Sequence, residues 1–445
     1  MKFVGRNYVR EYFRPYVPQT DPSGIYKPSR LVKYAILSHR WLDSGEPTYE
    51  EMKMNPPPAA GPGYEKLKNF CRQARKRKVE FAWSDTCCID KSSSTELDES
   101  IRSMFRWYRN STICIVHLAK STTIEDILHD EWTARGWTLQ ELLAPFAIKF
   151  FNKDWKPMTK DENDKRKEAT TRILQILETA TGIPHHEIYW QFTPGPVKVD
   201  ERMAWAARRK TTRVEDVAYS LMGIFDVSLQ IAYGEGGDRA FCRLIEAIMQ
   251  AGDPSVLNWK GAAAQHHSSG AIPRSPKNFL DCRKLKLGGR LEMTMTCLGL
   301  RMPVVILRLN LPIAMAAGTG NARITFNCLL CPNIRIDINV RNSLAHGQYQ
   351  YAFGIINYSL VRDGSREVVV IQGKSVGFPL RCLQVDQFGS SSAPGTTGVI
   401  GFETVCIEQK FGPWKKIRGE GLIEVDFPIT PRFYIERKYL ENVHL

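Results

Sequence analysis

Tyr34-Ala35-Ile36-Leu37-Ser38-His39-Arg40-Trp41 opens on a short apolar run, Tyr34 to Ser38, and then turns to polar and aromatic residues. A short apolar run of this kind reads as a buried strand. The pattern recurs downstream. Val79-Glu80-Phe81-Ala82-Trp83, Thr112 to Leu118 and Ala147 to Phe151 read as three further strands. Helical patterns separate them. Tyr64 to Lys78 places Leu67, Phe70, Cys71 and Ala74 on one face. Ser93 to Arg109 carries the stripe Ile101, Met104, Phe105 and Tyr108, and Ser93 and Glu96 have capping-box spacing. Gly136 to Leu143 is closed by Pro145, and the Pro/Gly-rich stretch from Asn55 to Gly63 is a loop. Strands alternating with helices imply an α/β fold, a parallel sheet with helices on both faces. Ligands of such sheets bind at the carboxyl ends of the strands. The loops after Ser38, after Trp83 and before Trp137 are therefore where a site is expected.

The rest of the chain divides by pattern. Residues 1–33 read as an irregular lead-in and 34–151 as the α/β domain. Residues 152–260 read as a helical extension, clearest over Thr211 to Ile224 and Gly237 to Ala251. A soft linker from Gly261 to Ser275 leads to a β-rich C-terminal domain over 276–445. Its strands include Val304 to Leu309, Arg323 to Phe326, Ile334 to Ile338 and Glu367 to Ile371.

Composition is that of a soluble globular protein, with 43% hydrophobic and 24% charged residues. No apolar run approaches the ~20 residues of a membrane span, and the start lacks the apolar stretch of a signal peptide. A cytoplasmic location is expected. Eleven cysteines in 445 residues are too sparse for a disulfide scaffold and read mostly as buried thiols. Cys87 and Cys88 are adjacent and do not easily pair with each other. Of the net charge of +14, nine units fall after Gly261. These charges are scattered, so they read as a solvated surface, and nucleic acid is not an expected partner. The tight cluster Arg72, Arg75, Lys76, Arg77 and Lys78 closes a helix, where cations suit the dipole. A nuclear-import signal is the weaker reading of it.

Three blocks in order resemble the fungal heterokaryon-incompatibility (HET) domain. They are Tyr34 to Trp41; Trp83-Ser84-Asp85-Thr86-Cys87-Cys88-Ile89-Asp90-Lys91 followed by Ser100 to Tyr108; and Arg135-Gly136-Trp137-Thr138-Leu139-Gln140-Glu141-Leu142-Leu143-Ala144-Pro145. Asp200 to Ala206, Ala218 to Val227 and Tyr233-Gly234-Glu235-Gly236 look like the segment that comes after this domain in many family members, so the resemblance covers about residues 34–250. Leu42 stands where the family often has glycine. The third block is also similar to the Trp-Cys-Leu-x-Glu-Leu stretch of plant TIR domains. There the glutamate is the catalytic residue of an enzyme that cleaves NAD at the nicotinamide–ribose bond. The resemblance thus implies a TIR-like sheet, NAD or a related nucleotide as substrate, and Glu141 as the catalytic residue. It also implies a role in triggering cell death, self-association on activation and an incompatibility partner protein.

The chemistry gives Glu141 a separate rationale. Breaking a glycosidic bond builds positive charge on the sugar, which a fixed carboxylate stabilises. Nicotinamide leaves readily, so no metal or further cofactor is required. Trp137 lies four residues before Glu141, on the same helix face, and an apolar wall there would raise the carboxyl's pKa by desolvation. Trp137 could equally fill core volume, and Glu141 could be a surface residue or pair with Arg135. His39 and Arg40 come directly after the first strand, where a phosphate could be held. A loop histidine is more often only a surface residue. Asp85 and Asp90 could orient a ligand hydroxyl or cap the following turn, with capping the expected single role of Asp90. Ser38, Trp41, Arg135 and Gln140 complete the expected substrate-binding set.

Other signals are weaker. Gly373-Lys374-Ser375 lacks the first glycine of a phosphate-binding loop. Cys328-Leu329-Leu330-Cys331 is a single CxxC, and Cys282 and Cys297 do not complete a known zinc spacing. The pairs His185-His186 and His266-His267 diverge in direction. Cys87, Cys88 and His117 lie near the sheet edge, with no spacing that marks a hydrolase. Two functions remain in view: an NAD-cleaving effector, and a non-enzymatic adaptor acting by homotypic contacts, in which Glu141 is structural.

Overall fold

The computed structural model describes residues 2–13, 32–54, 60–165, 171–265, 267, 269–285, 287, 289–310, 321–328, 335–341, 349–363, 366–383, 414–416, 421–426 and 432–445. They form two compact units. One is Met1–Ile248 with Ser275–Leu280, the other Met249–Arg274 with Asp281–Leu445.

The first unit is built on four parallel strands: β1 (Tyr34–His39), β2 (Phe81–Trp83), β3 (Ile113–His117) and β4 (Ile148–Phe151), in the order β2-β1-β3-β4. Side chains alternate between faces along a strand. Ala35 and Leu37 are aligned with Ile113 and Ile115. These four join Tyr64, Leu67, Phe70 and Ala74 of the helix Pro62–Lys76 in one apolar cluster. Ile36 and Ser38 face the other way, toward the helices Ser94–Asn110 and Thr138–Leu143. Tyr108 of the former bonds Leu37 O, and Glu141 of the latter bonds Ser38. Helices therefore cover both faces, as the alternating pattern requires. Each fully buried Leu or Phe in these layers contributes about 1.5–3 kcal/mol.

Local signals set the element ends. Ser93 caps the 94–110 helix by accepting from Glu96 N. The Glu96 carboxylate reaches past it to Asp90 N, at 3.0 Å. The outer edge of β4 is closed by the returning chain. Met158 N donates to Phe150 O and Asp164 N to Ile148 O, while the Asp164 carboxylate accepts from Phe150 N and pairs with buried Lys149 at 3.0 Å. An open edge strand is thereby removed.

Three expectations change. Arg6–Phe13, placed in the irregular lead-in, is a helix, because Tyr12 and Phe13 pack on Phe81 with ring centroids 5.6 and 5.7 Å away. The remainder of the lead-in, 14–31, lies outside the described residues, as do Asn55 to Ala59, His266 and Cys331. The stretch Thr211 to Ile224 is two short helices, Asp216–Tyr219 and Met222–Phe225. Its start cannot be helical, because Lys210 is committed to strand-like pairing. Lys210 N donates to Ala134 O at 2.7 Å and Gly136 N to Lys210 O at 2.8 Å, forming a parallel bridge between Arg135 and Lys210. The expected linker Gly261 to Ser275 belongs to the second unit as far as Arg274, and Ser275 to the first. Along it Ala271 and Ile272 are fully buried, and the Trp259 indole donates to Ala271 O at 3.0 Å.

The second unit is β-rich and antiparallel. In chain order its strands are β5 (Thr294–Thr296), β6 (Gly299–Asn310), β7 (Asn321–Cys328), β8 (Arg335–Arg341), β9 (Tyr349–Ile355), β10 (Tyr358–Asp363), β11 (Arg366–Gln372), β12 (Lys374–Leu383), β13 (Lys415–Lys416), β14 (Ile423–Asp426), β15 (Arg432–Glu436) and β16 (Leu440–His444), and one sheet runs β13-β12-β9-β6-β7-β8. Thr294–Thr296 and Leu440–His444 also pair with β6, and Ile423–Asp426 with β12. A second sheet joins Tyr358–Asp363, Arg366–Gln372 and Arg432–Glu436. Lys374 and Ser375 begin a strand, so no helix comes after Gly373.

Gly136 is required by the pairing with Lys210. A Cβ at this position would sit 2.5 Å from Thr211 Cγ2. We expect Gly136→Ala to destabilise the unit by roughly 1–3 kcal/mol, and Thr211→Ser, which removes the opposing methyl, to recover most of the loss. Denaturant midpoints of the single and double variants check this; equal midpoints for Gly136→Ala with and without Thr211→Ser would refute it.

Candidate functional site

The order β2-β1-β3-β4 reverses direction between β1 and β3, and the carboxyl ends of strands at such a point are where α/β sheets bind ligands. Ser38 and His39 stand at that end of β1, aligned with Val116 and His117 of β3. Ser38 is fully buried. Its Oγ accepts from Trp132 Nε1 at 2.7 Å and donates its single proton to Glu141 Oε2 at 2.5 Å. The Tyr108 hydroxyl, adjacent to Glu141, spends its proton on Leu37 O at 2.9 Å. Glu141 is 7% exposed. Burial, reinforced by the negative charge of Asp85, raises its carboxyl to about 8, against the opposing effects of Ser38, Arg135 and Tyr108. At neutral pH this carboxyl holds a proton.

Asp85 behaves oppositely. Burial works against its charge, yet hydrogen bonds from His39 and Trp41, with the positive charge of Lys91, hold it below the usual carboxylate range. His39 Nε2 lies 3.2 Å from Asp85 Oδ1, and Trp41 Nε1 donates to Oδ2 at 2.8 Å. Trp41 is 37% exposed, and Lys91 Nζ sits 4.1 Å over its ring. His39 Nδ1 is buried without a hydrogen bond, 3.8 Å from Glu46 Oε1. Lys66 pairs with the same Glu46 and donates to Arg40 O at 3.3 Å. Two carboxyls in electrical contact, one ionised and one neutral, are the arrangement from which acid and base roles are drawn.

The expected residues fall into three groups. Ser38, His39, Trp41, Asp85 and Glu141 meet through the contacts above. Arg135 acts on Glu141 electrostatically, and its guanidinium makes no hydrogen bond or ion pair among the described residues. Arg40 is engaged at the rim by Glu131 and Asp43. The remaining three are directed elsewhere or lack a shown link. Trp137 donates to Asp216 at 3.1 Å. Asp90 accepts from Ser92 N at 2.9 Å, the turn-forming role. Gln140 is buried with its Nε2 unpaired.

The tryptophan that serves the Glu141 site is therefore Trp132 and not Trp137. Sequence reading also passed over Tyr108 and Arg209. Tyr108 was visible as a hydroxyl within an apolar stripe, a pattern that calls for a buried partner. Arg209 Nη1 donates to Arg135 O at 2.8 Å and Thr138 Oγ1 at 2.9 Å, and nothing local in the sequence marks it. Among the described residues no group of three or more His, Cys, Asp or Glu side chains is placed to hold a metal ion, and no helix is long and apolar enough to cross a membrane.

Residues 34–125 match the family described as heterokaryon incompatibility protein (HET), so the chain carries a HET domain. Over 249 residues, 52% of its length, it is 42% identical to the vegetative incompatibility protein HET-E-1 of Podospora anserina, of whose length it spans 18%. No solved structure matches the chain.

Folding raises the Glu141 carboxyl from 4.5 to about 8, so between these values the folded chain retains a proton that the unfolded chain has released. This contribution to stability is complete below pH 4.5 and is lost as pH rises through 8. Glu141→Gln, which mimics the protonated form, should remove that loss. We expect the variant's stability to gain on the parent's by on the order of 1 kcal/mol per pH unit within this window. Denaturant unfolding at pH 5, 7 and 9 tests it; parallel pH curves for the two proteins would contradict it.

Proposed function

We propose that the chain acts in heterokaryon incompatibility as a cell-death effector whose first unit cleaves NAD, or a related nucleotide, at the nicotinamide–ribose bond. The observation that carries this reading is the buried Glu141 carboxyl. It lies at the switch point of the sheet, held by Ser38 and in electrical contact with ionised Asp85. A substrate whose ribose bears a pyridinium brings positive charge to the site and favours the ionised form of Glu141, whose proton passes to solvent. The C–N bond breaks with its electron pair passing to the nicotinamide nitrogen. The carboxylate stabilises the cationic sugar, water adds to the anomeric carbon, and the water's second proton is released. The products are nicotinamide and ADP-ribose. Arg135, with free donors, suits a phosphate of the substrate, and Trp41 offers a flat face for a base. Activity is expected on self-association, and an incompatibility partner would supply the trigger.

One observation favours the second reading, a homotypic adaptor. Glu141 is almost wholly enclosed and its hydrogen-bond partner is internal, which also suits a structural role.

The test is nicotinamide release from NAD by the concentrated full chain, monitored by chromatography. Glu141→Gln should lower the rate at least ~100-fold. Because the carboxylate form acts, the parent's rate should rise with pH between 6 and 9, as Glu141 deprotonates about its midpoint near 8. Release that survives in Glu141→Gln would remove Glu141 from the chemistry. No release from either protein, even when crowded into oligomers, would leave the adaptor or a nucleotide other than NAD.

A further inference from the structure

We propose that Arg209, carried by the segment C-terminal to the α/β sheet, is a positioning residue for Glu141, holding the turn that enters its helix. This rests on the reading of Glu141 as the reactive carboxyl.

Arg209 Nη1 bridges Arg135 O and Thr138 Oγ1, while Nε donates to Trp205 O at 3.2 Å. Thr138 passes its own proton to Trp132 O at 2.6 Å. The guanidinium thus closes the turn from Trp132 to Thr138. Both supports of Glu141 originate in that turn. One is the helix Thr138–Leu143 that carries it; the other is the Trp132 indole, which orients Ser38 toward it. The next residues, Lys210 and Thr211, pair with Ala134 to Gly136. The segment therefore clasps the turn through backbone and side chain together. One terminal nitrogen holds a carbonyl and a hydroxyl while Nε, elsewhere on the same plane, holds Trp205 O, a spread of donors that a single ammonium nitrogen lacks.

Charge acts alongside this geometry. Arg209 Nη2 is buried and makes no hydrogen bond, and no carboxylate pairs directly with this guanidinium among the described residues. A buried cation left so is costly. The negative charge that acts on it is that of Glu141. The attraction is mutual, so Arg209 acts on the Glu141 proton beside Arg135, the cation that weighs most on it.

The experiment tracks the Glu141 side-chain carboxyl by 13C NMR of the full chain, with the resonance assigned by its loss in Glu141→Gln. Arg209→Gln should raise the titration midpoint by about half a unit or more. Arg209→Lys, which keeps the charge, should stay closer to the parent. Both should speed hydrogen exchange at the Glu141 amide relative to amides of β3, because neither can hold Arg135 O, Thr138 Oγ1 and Trp205 O at once. An unchanged midpoint in folded Arg209→Gln overturns the proposal. Should that variant not fold, unchanged Glu141 amide protection in Arg209→Lys overturns it instead. Neither readout uses NAD. A shifted midpoint in a chain that releases no nicotinamide would end the NAD reading and leave the role of Arg209 standing.

Discussion

A carboxyl group buried under a sheet must be given hydrogen-bond partners and either a proton or a counter-charge, and the first unit is arranged around meeting that demand for Glu141. Ser38 meets it directly. The side-chain period of a strand turns Ser38 to the face opposite Leu37, so the same two residues of β1 serve different layers. Leu37 enters the apolar cluster under the 62–76 helix, while its carbonyl receives the Tyr108 hydroxyl. Ser38 has one proton and gives it to Glu141, because the Trp132 indole occupies it as an acceptor. A slip of one residue in the register of β1 would exchange these roles and put the hydroxyl into the apolar layer.

Around this centre the charges are paired in sequence. Asp85 is held by His39 and Trp41, Glu46 by Lys66, and Glu131 by Arg40. Half-buried Arg135 lends its charge to both Glu131 and Glu141, and among the described residues its guanidinium makes no hydrogen bond. The contrast between ionised Asp85 and neutral Glu141 comes from solvation and partners and not from residue type, since both are carboxylic acids.

The segment after β4 is part of this arrangement. Trp137 turns to Asp216, Lys210 pairs beside Arg135, and Arg209 closes the entry to the Glu141 helix. The family match ends at residue 125, whereas the identity to the Podospora anserina protein extends over 249 residues. A similarity that outruns the domain match fits a sheet whose site depends on the helical segment C-terminal to it.

Periodicity in the sequence located the four strands of the parallel sheet and the helices between them, because burial on both faces demands continuous apolar runs and a covering helix demands an apolar stripe. The motif blocks likewise brought Ser38, His39, Trp41, Asp85 and Glu141 into view. Local pattern misled where distant pairing prevailed. Arg6–Phe13 is helical beside Phe81, and Thr211 belongs to a clasp and not to a helix. Only the tertiary structure decided that the Trp132 indole orients Ser38 toward Glu141 while that of Trp137 turns to Asp216, and that Arg209 reaches back across 71 residues to Thr138. The reason is physical. Periodicity records which side of an element is apolar, whereas a hydrogen bond to a buried carboxyl depends on where two separate elements meet, and that information resides in the packed layers.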